Sequence, residues 1–159
     1  MKRLVILTLF AAILSTTACD GKDDPIVPQP PQQEQPEEKP TQHPASMTIT
    51  ITVGSKTFKA ESEDTETGKA FIGKLPLSLD MSELNGNEKY CYGVSLPKAD
   101  KYYDAIAAGD LMLYSGNCVV LFYGPAGGYS YTRIGKLTST EGLKEALGTG
   151  SVKVSFTSE

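Results

Sequence analysis

The chain has 159 residues, 40% of them hydrophobic, with 15 Lys and Arg against 19 Asp and Glu. That length holds one ordinary domain plus extensions, and a formal charge of −4 argues against a nucleic-acid binder, whose phosphate contacts need clustered Lys and Arg. One His and three scattered Cys supply neither a His-rich nor a Cys-x-x-Cys zinc site, so no metal and no cofactor are expected.

The amino terminus reads as a targeting segment. Met1-Lys2-Arg3 is basic, and the 11-residue stretch from Leu4 to Leu14 is apolar apart from Thr8. It is too short for a transmembrane helix, which needs about 20 residues, and small and polar residues follow it as in a secretory signal peptide. Ala18-Cys19 resembles the end of the lipobox of bacterial lipoproteins, although Thr16 stands where that pattern usually has Leu. The resemblance implies a signal peptide over residues 1–18 and acylation of Cys19, which would anchor the mature chain to a membrane. The alternative is a soluble secreted protein with a spare Cys, but an exposed thiol in an oxidising compartment is a liability. Lys22-Asp23-Asp24 resembles the signal that sends some Gram-negative lipoproteins to the cell surface; a solvated charged tether would read the same. The expected location is the bacterial cell envelope, on the outer membrane and exposed at the surface.

Residues 19–46 follow as the lipidated Cys and a tether. Seven of the ten prolines and five Gln fall between Asp20 and Ser46, with Ile26 and Val27 the only large aliphatic residues. Such a composition cannot bury enough surface to offset ordering entropy, so a disordered spacer with polyproline character is expected. Fully extended, it reaches on the order of 80 Å at about 3.1 Å per residue. The single His, His43, lies here, which argues against a catalytic role.

Residues 47–159 form the working domain, with 11 basic and 13 acidic residues. Met47 to Val53 alternates strictly and is β-branched, the pattern of a half-buried strand. Gly54-Ser55 turns it into Lys56 to Ala60 as a hairpin. Ser62 followed by Glu63 and Asp64 predicts a helix start, with Ala70, Phe71 and Leu75 on its core face, Gly68 weakening it and Pro76 ending it. Strands are predicted at 77–81, 89–95, 111–114, 117–123 and 131–137. Thr138 to Glu141 reads as a capping box before Leu143 and Leu147, with Gly148 ending that helix. Val152 to Phe156 alternates again. Short strands, Gly-marked turns and two brief helices predict a mostly β fold, a small antiparallel barrel.

Several motifs recur in order: Leu75-Pro76-Leu77, Asn87 to Tyr92 (NEKYCY), Gly109 to Tyr114 (GDLMLY), Asn117 to Tyr123 (NCVVLFY) and Tyr129 to Gly135 (YSYTRIG). Together they resemble the bacterial cyclophilin-like family, small β-barrels found alone, as lipoproteins or beside redox domains. The resemblance covers essentially all of residues 47–156. It implies the cyclophilin-like barrel but no agreed activity, because fold does not confer chemistry. The Phe-His-Arg and Gln-Gly-Gly-Asp elements of the proline-isomerising cyclophilins are missing.

Isomerisation needs only a surface that stabilises a twisted amide, and Arg133 is the one Arg after the signal segment. Flanked by Tyr131 and near Phe122 and Tyr123 if those strands pair, Arg133 is the candidate catalytic residue. An ordinary surface ion pair is the competing reading. Phe122, Tyr123, Tyr131 and Arg133 are the candidate ligand-binding set. Gly124 to Gly128 lacks the Lys-Ser/Thr of a phosphate loop and is expected to be a hairpin loop. Cys91 and Cys118 are expected either to form a disulfide or to stay buried thiols. Tyr102-Tyr103 is placed in a polar loop, facing outward. The expected function is a membrane-anchored module that binds a peptide or small ligand without catalysis. The alternatives are a degenerate peptidyl-prolyl isomerase acting on exported proteins and a purely structural surface module.

Overall fold

The structure is a computed structural model that describes residues 47–159; the expected signal peptide, Cys19 and the tether lie outside the described residues. In chain order the elements are β1 (Thr48–Val53), β2 (Lys56–Ser62), α1 (Glu66–Ile72), β3 (Leu77–Leu84), β4 (Glu88–Tyr92) and β5 (Lys101–Tyr103). They continue with β6 (Asp110–Tyr114), β7 (Cys118–Phe122), β8 (Tyr129–Leu137), α2 (Leu143–Leu147) and β9 (Val152–Ser158). Eight strands pair antiparallel in the order β2-β1-β9-β3-β4-β7-β6-β8, and β2 pairs with β8 to close the barrel. The short β5 adds to the outer part of β8, pairing Tyr103 with Tyr129.

The alternation read in β1 is the alternation of burial: Ile49, Ile51 and Val53 point into the barrel and the threonines between them outward. All eight barrel strands contribute to this interior, and the helices add Phe71, Leu143 and Leu147. Phe71 meets Phe156 of β9 edge-on, with ring centroids 5.6 Å apart.

Local choices differ from the predicted boundaries where barrel closure competes with propensity. Ser62 does not cap a helix. It extends β2 and pairs with Gly135 of β8, because closing the barrel needs that ladder. Thr65 caps α1 instead, its Oγ1 accepting the Gly68 N–H at 3.1 Å. Gly68 is not merely a weak point in the helix: a Cβ there would run into the Glu63 carbonyl. The helix ends at Gly73 rather than at Pro76. No capping box forms before α2, since Thr138 Oγ1 donates to the Lys59 carbonyl of β2 and Gly142 starts the helix without a side-chain cap. Gly124 to Gly128 is not a hairpin loop. It joins β7 to β8 across β6, which pairs with both.

Lys89 on β4 is fully buried. Its Nζ donates to Glu83 Oε2 at 2.9 Å and to the carbonyls of Gly148 and Gly150 at 3.0 and 2.6 Å. Glu83 Oε2 also accepts the Gly150 N–H at 3.0 Å. All three ammonium protons therefore have acceptors, which a buried charge requires. The arrangement ties the β3–β4 hairpin to the segment between α2 and β9.

Two outcomes follow. Phe71→Ala removes a fully buried ring from the core and is expected to lower unfolding free energy by about 3–5 kcal/mol in urea titration. The hydrogen bond from Lys89 holds the Glu83 carboxyl below its ordinary range. A depressed carboxylate stabilises the fold above its unfolded value of about 4.3 and loses that contribution as pH falls through the folded value. Glu83→Gln is expected to melt below the unmodified chain at pH 7, with the difference shrinking below about pH 4. Burial shifts Glu88 the opposite way, but that effect is common to both chains and cancels in the difference.

Candidate functional site

The segment β4-β7-β6 with the first half of β8 buries side chains on both of its faces. Inward go Val119 and Leu121 of β7 with Leu111 and Leu113 of β6. Outward go Cys118, Val120 and Phe122, aligned by register with Tyr92, Tyr90 and Glu88 of β4 on one side. On the other side, Met112 and Tyr114 of β6 pair with Val120 and Cys118. A second, smaller apolar cluster forms here around Met112, Val120, Phe122 and Tyr131.

Loops make this outer face concave. Ile106 and Ala126 exchange two backbone hydrogen bonds, of 2.7 and 3.0 Å, joining the segment after β5 to the β7–β8 connection. Gly127 permits that approach, because a Cβ on it would collide with the Asp104 carbonyl. Buried Asp110 accepts the Ala107 N–H at 2.9 Å and fixes the same wall from below. The β3–β4 turn supplies the facing rim with Leu84, Asn85 and Asn87. The result is a cleft of about 420 Å³.

Its lining is aromatic. Tyr131 meets Phe122 edge-on at 5.5 Å and lies 5.8 Å from both Tyr114 and Tyr129. Tyr90 and Tyr92, side by side on β4, pack edge-on at 5.9 Å. Phe122 and Tyr131 are buried, whereas Tyr92 and Tyr129 are more than half exposed and form the rim. Burial raises the Tyr131 phenol well above its ordinary value, and the neighbouring Tyr129 hydroxyl raises that of Tyr114. Glu88 is the one charged side chain in the lining. Burial raises its carboxyl, and a hydrogen bond with Tyr131 opposes the shift.

Of the residues singled out by sequence, Phe122 and Tyr131 come together in this cleft. Tyr123 does not: it follows Phe122 and so points to the other face, into the barrel core, with Lys89 Nζ 5.6 Å from its ring centroid. Arg133 lies two residues beyond Tyr131 and outside the cleft. Its guanidinium stacks 5.0 Å over Tyr103 and approaches Asp110 Oδ2 to 3.6 Å. Tyr102 is exposed as expected, but both residues of that pair belong to strand β5, and Tyr103 is covered by Arg133. Cys91 and Cys118 are free thiols. Cys118 aligns with Tyr92, not Cys91, so the two thiols belong to opposite faces of the sheet and no disulfide forms.

Tyr90, Tyr92, Tyr114, Tyr129, Glu88 and Asn87 also line the cleft and lay outside the candidate ligand-binding set. The available signal was spacing: Tyr90 and Tyr92, like Tyr129 and Tyr131, are two apart and must share a strand face. Among the described residues, no cluster of three or more His, Cys, Asp or Glu is placed to hold a metal ion, and no helix is long and apolar enough to cross a membrane.

The comparisons agree with this fold. The cyclophilin-like family matches residues 51–157, most of the chain and all but the margins of the barrel. No curated protein matches. Among solved structures, the chain is similar to a hypothetical protein from Archaeoglobus fulgidus determined in solution. The two are 21% identical, with a TM-score of 0.55, over 72% of this chain and 95% of that one. A likeness at that identity bears on the fold alone. By the extent of the family match, and in keeping with the motifs between Leu75 and Gly135, the chain belongs to the cyclophilin-like family.

Proposed function

We propose that this protein is a binding module, held to a membrane by lipid on Cys19, whose barrel takes a peptide side chain or small ligand into the tyrosine-lined cleft without transforming it. The observation that carries this reading is the cleft itself. Its volume of about 420 Å³ falls in the range of small-ligand sites, and its apolar floor with a few polar groups has their composition. Tyrosines around a concavity supply large, rigid, amphipathic contact surfaces at low entropic cost.

The lining favours binding over chemistry. Burial pushes the Cys118 thiol up to about 11, which leaves it a poor nucleophile at neutral pH. Arg133, the side chain best suited to stabilise a twisted amide, is engaged by Tyr103 and Asp110 outside the cleft. A purely structural barrel would have no use for a cavity of this size on one face. The membrane anchor rests on the signal-like start of the chain and Ala18-Cys19.

Two measurements test the two halves of this reading. When the full-length chain is mixed with Ala-Pro peptides, NMR exchange spectra are expected to show cis–trans interconversion at its uncatalysed rate, tens of seconds or slower. Faster exchange that is lost in Arg133→Ala would replace binding with isomerisation. When the chain is expressed in a Gram-negative host and partitioned between detergent and water, it is expected in the detergent phase. Cys19→Ala should move it to the aqueous phase; equal partition of both chains would remove the lipid anchor.

A further inference from the structure

We propose that the group recognised in this cleft is an organic cation, an ammonium or guanidinium, bound between tyrosine faces with Glu88 as its counter-charge. This rests on the reading of the cleft as a ligand site and adds the chemical class of the ligand. The starting observation is an imbalance. Glu88 is only 6% exposed, lines the cleft, and makes no ion pair among the described residues. No Lys, Arg or His lines the cleft.

The two cations that follow cleft residues Glu88 and Tyr131 on their strands, Lys89 and Arg133, are committed elsewhere. Lys89 points to the opposite face, where Glu83 and two carbonyls take its three protons. Arg133 is held by Asp110 and Tyr103. Buried carboxylates normally have a cationic partner or a full set of hydrogen bonds. Glu88 has the Tyr131 hydroxyl, and burial still outweighs that bond in raising its carboxyl.

A second acceptor beside it is also short of a donor. Asn87 lines the same cleft. Its Nδ2 donates to the Pro125 carbonyl at 2.9 Å, which fixes the amide orientation, and its Oδ1 is buried with no hydrogen-bond partner. A carboxylate and an amide oxygen together ask for a ligand rich in N–H donors. The walls point to the same chemistry, because tyrosine faces attract cations through the ring quadrupole, and more strongly when desolvated. A carboxylate at the floor adds a charge-assisted hydrogen bond. A neutral ligand could donate to the amide oxygen but would leave the Glu88 charge without a counter-charge, and an anionic one would repel it.

The cation can belong to a free amine or to the side chain of a peptide, and paired probes separate the two. NMR titration of the tyrosine ring signals of the full-length chain at pH 7 would compare n-pentylammonium with 1-pentanol. The same titration would compare acetyl-Gly-Lys-Gly-amide with its norleucine counterpart. Each cation is expected to bind about tenfold or more tightly than its neutral partner. Glu88→Gln, which keeps the size and shape of the side chain, should abolish that preference while leaving the circular dichroism spectrum intact. Tyr129→Ala, at the exposed rim, should weaken both cations without threatening the fold. A tighter Lys peptide would identify a protein or peptide source, and a tighter free amine a small molecule. Equal binding of charged and neutral probes would overturn the cation assignment while leaving the cleft a binding site. A preference that survives Glu88→Gln would overturn the role of Glu88. Failure of every probe to shift the cleft tyrosines would overturn both this inference and the cleft as a site for ligands of this size.

Discussion

A pleated strand sends successive side chains to opposite faces, and everything about this domain depends on β4, β6 and β7 having both faces covered. One face fills the barrel; the other floors the cleft. A slip of one residue in β4 would carry Glu88 into the barrel core and Lys89 into the cleft, reversing the polarity of both. The register of β4 with β7, Glu88 with Phe122 through Tyr92 with Cys118, is therefore what places the site. It is reinforced at its start by the Tyr123 and Gly124 amides, both of which donate to the Asn87 carbonyl at 2.9 and 3.0 Å.

The two neighbouring charges on β4 show what this separation achieves. Lys89 and Glu88 are adjacent in sequence and opposite in sign, yet the sheet stands between them. Lys89 is neutralised inside the molecule by Glu83 and capped by the Gly148 and Gly150 carbonyls. Had the two side chains shared a face, they could have paired with each other, and the cleft would hold no carboxylate without a cation. An internal ion pair on one face and an unpaired acid on the other divide the strand into a structural half and a receptive half.

Much of the barrel was legible because its strands are strongly patterned. The Thr-Ile alternation of β1 and the alternation of β9 each announce one buried face, and the motifs between Leu75 and Gly135 carry the family resemblance. Boundaries failed where two local meanings competed. Ser62 is a good helix cap by composition, but the ladder to Gly135 claims it. β5 is three residues long and has no alternation to detect. The cleft was only half visible: Phe122 and Tyr131 stood out as aromatic neighbours, yet Tyr123 was grouped with them although adjacent strand residues cannot share a face. The same rule would have separated Cys91 from Cys118 had their strands been aligned, and that register is long-range information which spacing along the chain does not contain. Glu88 was invisible for a similar reason. Nothing local says that an acid in Asn-Glu-Lys-Tyr faces an enclosed aromatic surface rather than water.

The two unpaired thiols bear on where such a domain can work. Cys118 sits at the floor of the cleft with its pKa raised to about 11, so on the order of one molecule in ten thousand carries the thiolate at pH 7. Oxidants and disulfide exchangers attack the thiolate, and here it is scarce as well as shielded by the tyrosines above it. Burial also raises Cys91, on the far side of the sheet. The barrel thus holds its two cysteines on opposite faces of one sheet with no bridge between them. Its shape rests on packing around unbridged thiols, where many small exported domains depend on cross-links instead.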